Sequence, residues 1–230
     1  MGSLRFYFSL LAAKTAYRAL QLTRLSAGTS IIGRYVLKLC PDFLKQCNPY
    51  ISTKINVTGT NGKTTTSGLI THLIKESGKS VINNAMGANM LTGVVNAVAV
   101  SLNPCEQTDF SVIESDEAYL AKIYDQFEAD YLIVTNLFRD QLDRNGEVET
   151  LILKVKKFLE TFEGNVVLNA DDPNVARLGL ANPNNKNIHY FSVDRYQGAT
   201  DKPYEVGEGK FCPFCDTELV YDYYQYSHIG

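Results

Sequence analysis

The run Gly59-Thr60-Asn61-Gly62-Lys63-Thr64-Thr65-Thr66 combines small residues, one lysine and a string of hydroxyls. Phosphate oxygens carry dense negative charge. A loop that holds them must aim successive backbone N–H groups and a helix N-terminus at them, which calls for residues without bulk at Gly59 and Gly62. Lys63 would then reach the β/γ-phosphates, and the Thr64 hydroxyl would ligate Mg²⁺, which prefers oxygen ligands. The general pattern G-x-x-x-x-G-K-[ST] puts its first glycine at position 57, where this chain has Val57, so a Gly/Thr-rich surface turn is the alternative. A second reactive group is Cys212-Pro213-Phe214-Cys215, half of a tetrahedral zinc site that needs four ligands. His228 follows Cys215 at a finger-like spacing, but no fourth ligand comes before Gly230. A redox dithiol is the weaker reading, because no thioredoxin-like βαβ pattern surrounds the pair.

The elements that position these residues are legible from periodicity. Lys54-Ile55-Asn56-Val57-Thr58 alternates and is rich in β-branched residues, which predicts a strand entering the loop. Leu69, Ile70, Leu73 and Ile74 then recur at helical spacing until Gly78, a C-cap glycine. The order strand, glycine loop, helix is the context a P-loop requires. Further strands are predicted at 110–114 and 131–135, with a helix over about 147–162 whose Lys154, Lys156 and Lys157 form its wet face. Strands alternating with helices imply an α/β fold, a mostly parallel sheet with helices on both faces, to which 197–230 adds part of a zinc-ribbon-like segment. The tyrosine-rich stretch Tyr221–Tyr226 reads as a short ribbon hairpin with alternating exposed rings. The expected division is a helical lead-in at 1–50, an ATP-binding domain at 51–196 and the half-ribbon at 197–230.

The lead-in, 4–22, reads as an amphipathic helix in which Leu10 and Leu11 run beside Lys14 and Arg18. Packing on its own domain is the favoured reading; resting on an anionic membrane surface is the other. A signal peptide fits poorly, since basic residues follow the apolar run and no clean cleavage site does.

Composition narrows the function classes. The 230 residues are 45% hydrophobic and 20% charged, which excludes disorder, collagen-like repeats and a coiled-coil rod. A formal charge of -3 leaves no electrostatic footprint for a nucleic-acid partner. Five cysteines, an odd number with one C-x-x-C pair, suit a reducing compartment and hence the cytoplasm. Cys40, Cys47 and Cys105 have no evident His partner and are expected to be small buried hydrophobes.

On the run TGTNGKTTT the chain resembles the ATP-binding central domain of the Mur ligase superfamily, which also includes folylpolyglutamate synthetase. Phe110–Glu114 is similar to that family's second magnesium-binding strand, which makes Glu114 a catalytic and Mg²⁺-binding candidate beside Lys63. Asp116 and Glu117 are expected to form a solvated acidic loop before a helix. The segment from Tyr131 to Gly146 resembles the family's T-N-x-x-x-D-H-x-D stretch, with Gln141 at the His position. The carbamylated lysine of the amino-acid ligases is not carried over, because Lys154 is one residue out of register. Asn169-Ala170-Asp171-Asp172-Pro173 resembles the segment that meets adenine and ribose, so Asn169 and Asp172 join Gly59, Thr60, Asn61, Gly62, Lys63, Thr64 and Thr65 as nucleotide-binding candidates. Asp172 also precedes Pro173 as an N-cap before N1.

Asn83–Met90, Phe138–Arg144, NADDP and Cys212–Cys215 bring the chain nearest to the MurT-type branch, the ATP-dependent subunits of glutamine-dependent lipid II amidating enzymes, where Gln replaces the His. That resemblance implies ATP, Mg²⁺ and structural Zn²⁺ as cofactors. It implies phosphorylation of the D-glutamate α-carboxylate of lipid II, and ammonia from a class I glutamine amidotransferase-like glutaminase (GatD-type) partner. It also implies a second cysteine pair and a C-terminal domain beyond Gly230, so the sequence reads as a fragment. An amino-acid-adding ligase, a folylpolyglutamate synthetase and an ATP-binding fragment without turnover are the rival functions.

Overall fold

β-Branched residues at Ile51, Thr53, Ile55, Val57 and Thr58 favour an extended backbone, and Ile51–Thr58 forms the first strand, β1. The computed structural model describes residues 2–22, 29–84, 89–137, 147–202, 210–212 and 214–225. Two compact units emerge: Met1–Thr58 with Gly62–Tyr131, and Gly59–Asn61 with Leu132–Gly230.

The first unit runs α1 (Leu4–Leu22), α2 (Thr29–Leu39), α3 (Phe43–Cys47), β1, α4 (Lys63–Glu76), β2 (Val81–Asn83), α5 (Leu91–Ser101), β3 (Thr108–Glu114) and α6 (Leu120–Tyr124). Its strands lie in the order β2-β3-β1. Both pairings are parallel, with Val57 opposite Glu114 and Ile82 opposite Ser111. Successive strand residues point to opposite faces. Ile82 joins the core shared with α1, α2, α3 and α5, whereas Asn83 turns the other way and its Nδ2 donates to Thr71 Oγ1 of α4 at 2.8 Å. Helices therefore cover both faces of this part of the sheet.

The lead-in belongs to that core. Phe6, Leu10 and Ala13 of α1 are buried, and the Phe6 ring packs 5.3 Å from Phe43 and 5.7 Å from Tyr50. Full burial of a side chain such as Phe6 contributes about 1.5–3 kcal/mol. At Gly33 the α2 backbone presses on α5 so closely that a Cβ would fall 1.8 Å from Thr92 O. The apolar stripe of α4 behaves differently from its periodicity: Leu69 and Leu73 are 58% and 60% exposed, and the helix turns the small Ser67 and Thr71 inward.

The second unit holds β4 (Tyr131–Val134), α7 (Glu147–Leu159), β5 (Asn165–Asn169), α8 (Pro173–Ala176) and β6 (Ile188–Phe191), with strands in the order β4-β5-β6. β5 and β6 pair in parallel, Asn169 opposite Phe191. On α7, Ile152, Val155, Phe158 and Leu159 are buried and Lys154, Lys156 and Lys157 exposed, as the spacing predicts. The tyrosine-rich stretch differs from expectation. Among its described residues, Tyr224 bridges antiparallel to Thr200, Tyr223 Oη donates to Val193 O at 2.9 Å, and Tyr221 stacks on Tyr224 at 4.9 Å. These rings are half-buried, and Thr200 and Val193 that meet Tyr224 and Tyr223 come from earlier in the chain.

Candidate active site

The glycine loop is divided between the two units. The chain leaves the first after Thr58, passes through the second at Gly59–Asn61 and returns at Gly62. Gly62 sits at φ 79° as the N-cap residue of α4, a left-handed conformation that glycine adopts without steric cost, and no side chain caps the helix. An uncapped helix start offers backbone N–H groups and positive partial charge to an anion.

In the first unit, two predicted Mg²⁺ ligands meet. Thr64 Oγ1 donates to Glu114 Oε2 at 2.8 Å, and the Glu114 residue is 3% exposed. Glu114 is held at the end of β3 by Asn84, whose Oδ1 accepts from Glu114 N at 2.8 Å and whose Nδ2 donates to Glu114 O at 2.8 Å. One amide thus clamps both backbone groups of the carboxylate-bearing residue. The next residue is held as well: Ser115 Oγ donates to Asn56 Oδ1 at 2.5 Å and Thr58 Oγ1 donates to Ser115 O at 3.0 Å.

The acidic loop is not solvated as expected. Glu117 is buried, with Oε1 3.9 Å from Lys63 Nζ, and the two side chains are 8% and 12% exposed. Burial of a lysine favours a nearby carboxylate, and Glu117 provides it. Asp116 is half-buried, and its Oδ1 accepts from Ala118 N at 2.9 Å.

In the second unit, the first half of the loop is braced by Thr135 and Asn136 at the exit of β4. Thr60 N donates to Asn136 O at 2.8 Å, Asn61 N donates to Asn136 Oδ1 at 2.8 Å, and Asn61 O accepts from Asn136 Nδ2 at 3.0 Å and Thr135 Oγ1 at 2.8 Å. Gly59, at φ 127°, lies so close that a Cβ would meet Thr135 Oγ1. Hence Thr60 and Asn61 spend these groups on shaping the loop, and Gly62, Lys63, Thr64 and Thr65 lie at the start of α4.

Asn169 and Asp172 are also placed by backbone contacts. Asn169 Nδ2 donates to Thr135 O at 2.9 Å, and its Oδ1 accepts from Asp171 N at 3.0 Å. Asp172 has no exposed surface; its oxygens accept from Leu137 N at 2.7 Å and Asn174 N at 2.9 Å. The expected cap of α8 is present, and the carboxylate braces the β4 exit rather than offering a surface oxygen to a nucleotide.

Cys212 and Cys215 lie on a tight hairpin in which Phe211 bridges Glu218, Cys212 N donates to Thr217 O at 2.7 Å and Asp216 N donates to Cys212 O at 3.0 Å. The Cys215 sulfur is 3.3 Å from the Thr217 hydroxyl, whose hydrogen bond to the thiolate holds this thiol below the ordinary cysteine range. Among the described residues, no three His, Cys, Asp or Glu side chains gather as a metal site. Gln141 and His228 lie outside the described residues. Cys40 and Cys47 are buried as expected, whereas Cys105 is exposed.

Asn84, Thr135 and Asn136 shape the site without a local signal that singles them out, and Glu117 joins them against the expectation of a solvated acid. Asn84 and the Thr135-Asn136 pair fell inside motifs already noticed, yet their contacts join segments tens of residues apart, which no local pattern reveals.

Residues 57–212 match the model of the Mur ligase middle domain. The chain belongs to the Mur ligase middle-domain family. Within that family it is 33% identical over 203 residues to the lipid II isoglutaminyl synthase (glutamine-hydrolyzing) subunit MurT of Staphylococcus aureus strain COL, covering 88% of this chain and 45% of the relative. It is 32% identical over 231 residues to the corresponding subunit of Streptococcus pneumoniae strain R6, covering 99% of this chain and 50% of the relative. The chain thus spans about half the length of the curated relatives it matches. The fold matches that of the MurF ligase of Thermotoga maritima, solved in complex with ADP, with a TM-score of 0.56 at 20% identity, over 73% of this chain and 40% of that one. A mostly parallel Mur-ligase-type sheet with helices is therefore the architecture of this family member.

Proposed function

We propose that this chain binds ATP with Mg²⁺ and activates a carboxylate of a peptidoglycan precursor, the α-carboxylate of D-glutamate in lipid II, for amidation to D-isoglutamine. The observation that carries the nucleotide part is the Thr64–Glu114 pair beside Lys63 at the uncapped start of α4. Likeness to MurT subunits supports the substrate, and the glutamine hydrolysis in their name supports a class I glutamine amidotransferase-like glutaminase as ammonia source.

A carboxylate is a poor electrophile. One of its oxygens attacks the γ-phosphorus, the bridging P–O bond breaks and ADP leaves. Ammonia then attacks the acyl-phosphate carbon, inorganic phosphate departs with the C–O electron pair, and nitrogen loses a proton. No protein nucleophile is needed, so catalysis rests on positioning and charge neutralisation. Lys63 meets phosphate oxygens, the Gly62–Thr65 backbone cradles them, and Gly59, Thr60 and Asn61 fix the loop. A hydroxyl beside a buried carboxylate is an all-oxygen donor set that fits Mg²⁺, so Thr64 and Glu114 would hold that ion. Bound there, Mg²⁺ spreads the charge of the β- and γ-phosphates. Asn169 borders the nucleoside, with Asp172 shaping its segment.

On this reading 51–196 is the ATP-binding domain, 1–50 its lead-in, and 197–230 a segment whose Cys212 and Cys215 supply two of four ligands to a structural zinc. The reaction belongs to the cytoplasmic side, where ATP is available. The test is glutamine-dependent amidation of lipid II by the full-length protein with its glutaminase, read by mass spectrometry. ATP and Mg²⁺ should be required, and Lys63→Ala should lower turnover about a hundredfold or more. Unchanged turnover in that variant overturns the assignment.

A further inference from the structure

Residues 1–40 carry six basic side chains, Arg5, Lys14, Arg18, Arg24, Arg34 and Lys38, and no acidic one, in a chain whose formal charge is -3. The described part of this segment is also apolar on the outside. Phe6, Leu10 and Ala13 turn α1 into the core, but Leu4, Phe8, Leu11 and Leu22, which recur near whole turns of the same helix, are 89%, 61%, 66% and 85% exposed. The helix is thus apolar on two opposed sides, with Arg18 exposed and Lys14 half-buried beside the outer one. Next to it, Ile32 and Val36 of α2 are buried while Ile31 and Tyr35 are 61% and 62% exposed. Between the helices runs a groove of about 490 Å³, walled by Ala12, Ala16 and Ala19 on α1 and Ile31, Tyr35 and Leu39 on α2. Lys38 Nζ sits 5.6 Å from the centre of the Tyr35 ring at its edge.

We propose that α1 and α2 form a docking surface for an anionic lipid bilayer. The outer ridge of α1 enters the boundary between headgroups and acyl chains, the groove accepts an acyl chain, and the basic side chains meet lipid phosphates. Large exposed aliphatic and aromatic side chains flanked by arginine and lysine, with no carboxylate among them, form the pattern of a helix that lies in a membrane interface. Arginine and lysine stems can follow an apolar surface while their charged ends reach the headgroups. No helix among the described residues is long and apolar enough to cross a membrane, so the contact is peripheral. Charge favours the bilayer over a second copy of the chain, because residues 1–40 carry basic side chains and no acidic one, and two such segments of the same sign repel. The surface does not depend on the reaction proposed above, since none of its residues belongs to the nucleotide site.

The test is co-sedimentation of the protein with phosphatidylcholine vesicles, with and without phosphatidylglycerol. Binding is expected only to the anionic vesicles and should weaken as salt rises. Phe8→Asp with Leu11→Asp, on the exposed ridge, should lower the partition coefficient about tenfold or more, and Lys14→Gln with Arg18→Gln should do so to a similar extent. Both double variants should keep the wild-type melting temperature and ATP turnover in the absence of vesicles, which separates loss of docking from misfolding and from failure of the functional assignment. Absence of binding, equal binding to neutral vesicles, or wild-type binding by the ridge variant overturns the proposal. A concentration-dependent dimer in light scattering that the ridge variant abolishes, without vesicle binding, assigns the surface to a second copy instead.

Discussion

Thr64 Oγ1 and Glu114 Oε2 lie 2.8 Å apart although fifty residues separate them in the chain. The hydroxyl is the first turn of α4 speaking to the last residue of β3, and both belong to the same compact unit. A carboxylate kept at 3% exposure and already donated to by one hydroxyl is oriented before any ion arrives. Glu114→Gln keeps the shape and removes the charge. It should abolish the Mg²⁺ dependence of nucleotide binding while the melting temperature stays within a few degrees of wild type; titration calorimetry with and without Mg²⁺ reads the difference.

Asn84 holds Glu114 through both backbone groups, so Asn84→Ala strands a buried N–H and a buried C=O. The expected cost is about 1–3 kcal/mol of stability. Asn84→Asp retains an acceptor for Glu114 N but has no donor for Glu114 O, and should fall between the two in urea denaturation.

Lys63 and Glu117 face each other at 3.9 Å with little exposure on either side. Lys63→Ala therefore removes the cation beside a buried carboxylate as well as the phosphate-binding group, at a cost of about 1–3 kcal/mol. Adding Glu117→Gln to Lys63→Ala should restore most of the melting temperature and none of the ATP turnover. Recovery of turnover would show that Lys63 acts only through the fold.

Asn136 shapes the loop from outside it, with its side chain accepting from Asn61 N and donating to Asn61 O. Asn136→Ala should weaken ATP binding about tenfold, the loss of one to two partly exposed hydrogen bonds that pre-form the site. The residue contacts the loop, so titration calorimetry should show the loss in binding entropy and affinity with little change in melting temperature.

Thiol reactivity should divide the cysteines by environment. Burial pushes the Cys40 thiol up to about 11, with Asp42 adding to it, and burial raises Cys47 further. Only the thiolate reacts, so near pH 8 a thiol at that value is ionised to about one part in a thousand. In the metal-free protein, Cys215, held below the ordinary range by Thr217, gains thiolate at lower pH and should alkylate first, ahead of Cys105. Mapping the sites by mass spectrometry against time checks the order.

Much of this protein was legible one segment at a time. β1, the loop and α4 follow from β-branched alternation, two glycines and helical spacing, all local preferences of the backbone. The Asp172-Pro173 cap and the wet lysines of α7 are equally local, and the Gly-Lys-Thr run points to a phosphate ligand because phosphate binding needs those residue types together. Tertiary structure decided what spacing cannot encode. Leu69 and Leu73 fit a buried stripe yet stay outside, because the sheet beneath α4 meets Ser67 and Thr71. Glu117 looked like a solvated loop acid until the fold buried it against Lys63, and Tyr224 and Tyr223 found Thr200 and Val193 from earlier in the chain. The double-sided apolar character of α1 likewise exists only once one side is packed. In each case the deciding contact joins segments far apart in the chain, and its energy depends on burial, which is a property of the folded whole and not of any window of sequence.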